Sequence, residues 1–250
     1  MIKNYTLKEI QQEIKKNYKF GDTIDICIVT FNRLEYLKKC VTSIIASTSI
    51  KFRIFVIDDG STDGTKEWLQ KQKKRGLIFD IILNKKNLGT ATNFNLVIDK
   101  SDSPFFVMCN DDMYFHRYWD FAIMDIINKF DDCGIVSFYD YTRYGLDEGV
   151  STIDDTTIKV PRTGLGAAAI NRELFNLSGK FILPEGAKMG FFATPFCSRC
   201  YNTNIKRNTH YATVPNYVTN MDVSYCKLNE NDNLQEYGLM RKKEKRGWGK

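Results

Sequence analysis

The 250-residue chain has only two histidines and five prolines, and no apolar run approaches the ~18 residues of a membrane-spanning helix. The longest candidates, such as Leu165 to Ile170, are short and rich in Gly and Ala. No segment repeats and none is of low complexity, which excludes solenoids, collagen-like chains and long disordered linkers. Seven cysteines do not pair evenly. The start, Met1-Ile2-Lys3-Asn4-Tyr5, leads into a charged stretch rather than an apolar one, so no secretory signal is expected. Free thiols in a reducing, cytoplasmic compartment follow as the expectation.

What is present is ordinary for a globular chain: 43% hydrophobic and 26% charged residues, with a net charge of +6. This length supports one large α/β domain. Basic residues gather at the C-terminus in Arg241, Lys242, Lys243, Lys245, Arg246 and Lys250. Such a tail attracts phosphates of nucleic acid or of a membrane surface, or is simply solvated. Over residues 6–18, Leu7, Ile10 and Ile14 recur at helical spacing beside Lys8, Lys15 and Lys16. That amphipathic helix docks on its own domain or lies on a membrane.

From residue 24 onward the pattern alternates. Ile24–Val29, Phe52–Ile57, Phe79–Leu83, Phe105–Met108 and Ile135–Phe138 read as strands. Helices are expected over 34–45, after Thr62-Asp63, over 90–98 and over 118–130, and later over 172–177 and 194–201. This alternation predicts a mostly parallel sheet with helices on both faces. In such sheets ligands bind beyond the carboxyl ends of the strands. The polar residues that end each strand are therefore the site candidates.

Those ends read Thr30-Phe31-Asn32-Arg33, Asp58-Asp59-Gly60-Ser61-Thr62-Asp63 and Asn110-Asp111-Asp112, with Asn87-Leu88-Gly89 opening a helix. Asp-Asp-Gly-Ser alone is a common turn and helix cap. Carboxylates gathered at one sheet edge repel unless a cation sits among them. A hard divalent ion with oxygen ligands, Mg²⁺ or Mn²⁺, is the natural neutraliser, and it also accepts a diphosphate.

In these four motifs, in this order over residues 24–115, the chain resembles the GT-A-fold glycosyltransferases typified by bacterial polysaccharide enzymes. The resemblance implies a GT-A-like α/β fold with an irregular acceptor-side C-terminal part. It implies a UDP-type nucleotide sugar as donor and a divalent cation, Mn or Mg, as cofactor. Thr30, Asn32, Asp58, Asp59, Gly89, Asn95 and Asp111 would then bind the nucleotide side, and Asp112 the metal. Asp222 and His210 are candidates to complete the metal shell. An arginine common before the matching asparagine is Phe94 here. Inverting members carry a Glu-Asp pair at a later helix start, whereas Met189-Gly190-Phe191-Phe192-Ala193-Thr194-Pro195 holds no carboxylate. Glu185 is the candidate base, with Asp222 as its alternative. A retaining mechanism, or a catalytically silent nucleotide-sugar-binding protein, also accounts for the missing pair.

The expected organisation is an amphipathic helix at 1–20, a nucleotide-sugar-binding half at 21–138, an acceptor-binding half of the same domain at 139–228 and a basic tail at 229–250. The acceptor is a glycan hydroxyl or, given the basic charge, nucleic acid such as a hydroxymethylated base in phage DNA. A peripheral membrane contact is the third partner compatible with the sequence. Cys197 and Cys200 read as helix packing; zinc through His210 and Cys226 is the alternative. Tyr139, Tyr141 and Tyr144 can stack a sugar or base, or pack a loop.

Overall fold

The computed structural model describes residues 23–138, 151–154, 157–160, 165–183, 192–213 and 217–222. The expected N-terminal helix, the three tyrosines of 139–144, Glu185, Cys226 and the basic tail lie outside these residues. Two compact units divide the chain, Met1–Thr219 and Asn220–Lys250.

The first unit is built on the strands β1 (Thr23–Thr30), β2 (Lys51–Asp58), β3 (Asp80–Leu83), β4 (Phe105–Asn110), β5 (Met113–Phe115), β6 (Cys133–Ser137), β7 (Ser151–Asp154), β8 (Thr157–Lys159), β9 (Ala167–Asn171) and β10 (Thr209–Thr213). The helices between them are α1 (Leu34–Ser47), α2 (Thr65–Lys74), α3 (Thr90–Ile98), α4 (Trp119–Lys129), α5 (Arg172–Ser178) and α6 (Ala193–Tyr201). Nine strands form one sheet in the order β3-β2-β1-β4-β9-β6-β10-β8-β7. The β3-β2-β1-β4 side is parallel. β9 then runs antiparallel between β4 and β6, so the sheet is mixed. Ala167, Ala168, Ala169 and Ile170 are all buried, so this strand is covered on both faces, as a central strand is.

β1 is continuous Ile-Asp-Ile-Cys-Ile-Val and is buried from Ile24 to Thr30. Its one charge, Asp25, is fully buried because Arg53 on β2 grips it with two bonds of 2.7 and 2.8 Å. The Asp102 and Ser103 N–H groups donate to the same carboxylate at 3.0 and 3.1 Å. Burial alone raises its pKa, but Arg53 and these two donors outweigh it and hold the carboxyl below its ordinary range. This anchor closes the amino edge of the sheet.

One face is covered by an aromatic cluster in which Phe94 of α3 meets Phe181 and Phe192, and Phe175 meets Phe106, with centroids 5.4–6.3 Å apart. Asn95, expected at the nucleotide, is engaged here instead. Its Nδ2 donates to the Phe181 carbonyl at 2.8 Å and its Oδ1 accepts from the Phe181 N–H at 2.9 Å. Both ends of the amide thus clasp one backbone residue and pin the chain leaving α5 onto α3. Asn95→Ala is expected to cost roughly 2 kcal/mol, about 1 for each hydrogen bond lost, in urea unfolding.

Candidate active site

The strand registers bring the site together. Thr30 lies opposite Asp58, Val29 opposite Asn110, and Asp58 opposite Leu83. The polar ends of β1, β2 and β4 therefore share one level at the carboxyl edge. Asp111 and Asp112 follow directly as a turn before β5.

Asp111 and Asp112 are both nearly fully buried. The Thr30 hydroxyl donates to Asp111 Oδ2 at 2.7 Å. Arg33 sits across from the pair, its Nε 3.6 Å from Asp111 Oδ1 and an NH nitrogen 3.4 Å from Asp112 Oδ2. Its guanidinium also lies over the Tyr36 ring at 4.6 Å. Burial pushes the Asp111 carboxyl up to about 6, against the pull of Thr30 and Arg33, and the charge of Asp112 adds to the rise. An arginine at these distances offsets the two charges only in part.

The surrounding loops are held by their own polar side chains. Asn32, at φ 52, accepts from the Thr62 N–H at 2.8 Å, while its own N–H donates to Ser61 Oγ at 2.8 Å. Asn32 thereby ties the loop after β1 to the loop after β2. Asp63 caps two helices at once, accepting from the Leu34 N–H at 2.9 Å and from the Thr65 hydroxyl at 2.6 Å. Asp58 accepts from the Ser61 N–H at 3.2 Å, and burial pushes its pKa up.

Asp59 holds the loop before α3. Its oxygens accept from the Leu88 N–H at 2.7 Å, the Gly89 N–H at 3.0 Å and Asn84 Nδ2 at 3.0 Å. Its expected bond to a base therefore competes with a loop that already occupies the carboxylate. Gly89 needs its left-handed φ of 85°, and the space where a side chain would stand is open. Asp59→Ala is expected to free residues 84–89, read as faster amide exchange at Leu88 and Gly89 with α1 unchanged.

The donor set fits a hard divalent cation. Asp111 and Asp112 offer buried carboxylate oxygens, and among the described residues no group of three His, Cys, Asp or Glu side chains assembles. A hard divalent ion held by two carboxylates would leave its remaining positions to other oxygen ligands.

His210 does not join them. It lies on β10, level with Ile135, which is level with Ile170 and so with Phe106. That is three strands across and five residues below Asp111, roughly 20 Å away by strand geometry. Its ring is fully buried against Tyr201, 4.4 Å between centroids. Asp222 belongs to the second unit, where its N–H donates to Asn220 Oδ1 at 2.7 Å. Cys197 and Cys200 are buried on α6, and Cys200 Sγ meets the Ser178 hydroxyl at 3.3 Å, which is packing rather than a metal corner.

Sequence reasoning gave no separate role to Arg33 or Asn84, and it read Asp63 only as opening the helix after β2, where it in fact also caps α1. Arg33 closes the first motif, and its charge at a strand end among carboxylate-bearing strand ends is the one sequence feature that pointed to it.

A family model described as glycosyl transferase family 2 matches residues 25–183. The chain is 32% identical over 97 residues to an uncharacterized glycosyltransferase of Rickettsia bellii, a stretch that covers 38% of this chain and 14% of that protein. It is 28% identical over 116 residues to an uncharacterized glycosyltransferase of Haemophilus influenzae, covering 46% of this chain and 36% of that one. It thus spans less than half the length of either relative. Among solved structures it resembles the mannosyltransferase PcManGT from Pyrobaculum calidifontis in complex with GDP-Man and Mn²⁺, with 18% identity, a TM-score of 0.55 and coverage of 76% of this chain and 58% of that one. It also resembles S. aureus TarS 1–349 in complex with UDP-GlcNAc, with 14% identity, a TM-score of 0.54 and coverage of 78% and 56%. At these identities the structural likeness shows the fold, GT-A.

Proposed function

Because this chain belongs to glycosyl transferase family 2, we propose that it moves a sugar from a UDP-type nucleotide sugar to an acceptor hydroxyl with the help of Mn²⁺ or Mg²⁺. The observation that carries the proposal is the cluster of Thr30, Arg33, Asp111 and Asp112 at the carboxyl edge. Asp111 and Asp112 would hold the cation, and the GDP-Man, Mn²⁺ and UDP-GlcNAc complexes of the structural neighbours support a nucleotide diphosphate there. The cation, when bound, neutralises charge on the departing diphosphate.

The chain's own groups do the rest. Thr30 orients Asp111 through the 2.7 Å bond. Arg33 supplies positive charge beside the phosphates. Asn32, Asp59 and Asp63 set the loops before any ligand arrives, so less order is lost on binding.

The base is a separate matter. No acid stands in the first turn of α6, where inverting relatives would place one. We therefore propose Glu185 as the group that takes the acceptor proton. Glu185→Gln is expected to slow transfer at least 100-fold while leaving donor binding intact. Full turnover in that variant would remove Glu185 from the reaction.

Incubation with a panel of UDP- and GDP-sugars, in Mn²⁺ or EDTA, tests the donor. Metal-dependent release of UDP from one donor is the expected result. Glycan oligomers and hydroxymethylated DNA, added in separate arms, identify the acceptor by the one that stimulates release. Tight donor binding without release in any arm would favour the silent binding protein.

A further inference from the structure

The exposed side of the last turns of α2 and the turn that follows it carry Lys71, Lys73, Lys74 and Arg75. The acids near them are Glu67, Asp80 and Asp102, of which Asp80 is taken up by Lys73 and Asp102 by Arg53. Lys100, from the end of α3, acts on that same Asp80. The patch therefore holds a clear excess of positive charge.

Two large apolar side chains stand out from the same turn. Leu77 is 37% exposed and Phe79 is 56% exposed, with Ile78 buried between them. The turn is fixed rather than loose. The Gly76 N–H donates to the Lys73 carbonyl at 3.0 Å, the Leu77 N–H to Gln72 at 3.1 Å and the Phe79 N–H to Ile54 at 2.8 Å. The Phe79 ring is backed by Phe55 at 5.2 Å and by the Arg53 guanidinium at 5.0 Å.

We infer that this face of α2 and β3 is a docking surface for an anionic lipid bilayer. The cations reach headgroup phosphates, and Leu77 and Phe79 enter the interface between them. A nucleic-acid duplex would be served by the cations alone; an exposed Leu beside the Phe, framed by lysines, matches a surface with an apolar interior. α2 runs from Gly64, beside the candidate active site, to this patch, so docking leaves the carboxyl edge ~15 Å away along the helix and open to a soluble donor. The inference stands on these surface residues and does not depend on the transferase reading.

The test is co-sedimentation of the full chain with vesicles of equal parts phosphatidylcholine and phosphatidylglycerol, and with phosphatidylcholine alone. The parent is expected to bind only the anionic vesicles and to be released by salt. Reversing Lys71, Lys74 and Arg75 to Glu should weaken binding at least tenfold, and Leu77→Ser, whose side chain has no ring contact to lose, should weaken it too with thermal melting unchanged. Changing the same three basic residues to Gln serves as the milder variant if the reversal melts early. Failure of the parent to bind anionic vesicles would overturn the inference. Equal binding by parent and charge variants would also overturn it, since basic residues elsewhere would then make the contact. So would retention of a DNA duplex, but not vesicles, through these same residues.

Discussion

Asp112→Asn is expected to abolish metal-dependent nucleotide release, by at least 100-fold, while leaving the melting temperature unchanged or raised. The two effects have opposite signs for one reason. Asp111 and Asp112 are buried side by side, and each disfavours the other's charge. Arg33, at 3.4–3.6 Å, offsets that repulsion only partly. Removing one charge relieves that repulsion, which offsets the loss of the Arg33 contact at 3.4 Å. The same change removes half of the charge that would hold a divalent cation and, with it, a diphosphate. A side chain kept only for structure would behave the other way, with stability falling and activity following it down. Nucleotide release and thermal melting on the same preparation separate these cases. A large fall in melting temperature with proportionate loss of release would assign Asp112 to the scaffold.

The second large effect is on stability in acid. His210 is fully buried, and among the described residues neither ring nitrogen has a hydrogen-bond partner. Burial pushes its pKa from 6.5 down to about 3. The folded chain therefore keeps this ring neutral between those values, while the unfolded chain takes up a proton. Stability is untouched above pH 6.5 and falls as pH drops below it. The loss from this one group is about 2 kcal/mol between pH 7 and pH 5. Asp111 works in the opposite direction, because burial raises its pKa from 3.8 to about 6 and the folded chain holds that proton longer. The total pH profile therefore mixes both. The difference between parent and His210→Phe isolates the histidine, because Asp111 is common to the two. That difference in unfolding free energy should grow by about 2 kcal/mol from pH 7 to pH 5. His210→Leu should show the same slope. A difference independent of pH would mean that the folded chain binds a proton at His210 as readily as the unfolded one does.

The parallel half of the fold was legible because each of its elements carries its own signal. β1, β2 and β4 are dominated by apolar, largely β-branched and aromatic residues, interrupted by the paired Asp25 and Arg53 and by Lys51, and each ends on a polar residue placed at the sheet edge. Thr90–Ile98 and Trp119–Lys129 follow helical spacing closely enough to be bounded within a residue. The mixed half was less legible for a physical reason. β9 is antiparallel and sits between β4 and β6, far from its neighbours in sequence, so no local pattern announces the insertion. β7, β8 and β10 are short strands whose pairing depends on one another. Their Thr, Asp and Ser residues read equally well as loop.

At the site, residue type pointed to the edge but not to each role. Asp59 and Asn95 are polar residues in the expected places, yet both bond to the surrounding chain, Asp59 to Leu88, Gly89 and Asn84 and Asn95 to Phe181. A side chain that binds a ligand and one that fixes a loop look alike in sequence. His210 misled for a related reason. A rare histidine near the chain's end invites a ligand role, and only the strand register shows that it is level with Phe106 and remote from Asp111.

The most direct test of the account is calorimetric titration of UDP into the protein, in Mn²⁺ and in EDTA, for the parent and for Asp111→Asn. UDP is the part shared by every UDP-type donor, so the measurement needs neither the sugar nor the acceptor. Binding in Mn²⁺ that weakens at least tenfold in EDTA, and at least tenfold in Asp111→Asn, is the predicted result. UDP binding that is absent in both buffers, or equal in parent and variant, would contradict the claim that Thr30, Asp111 and Asp112 form a metal-dependent nucleotide site.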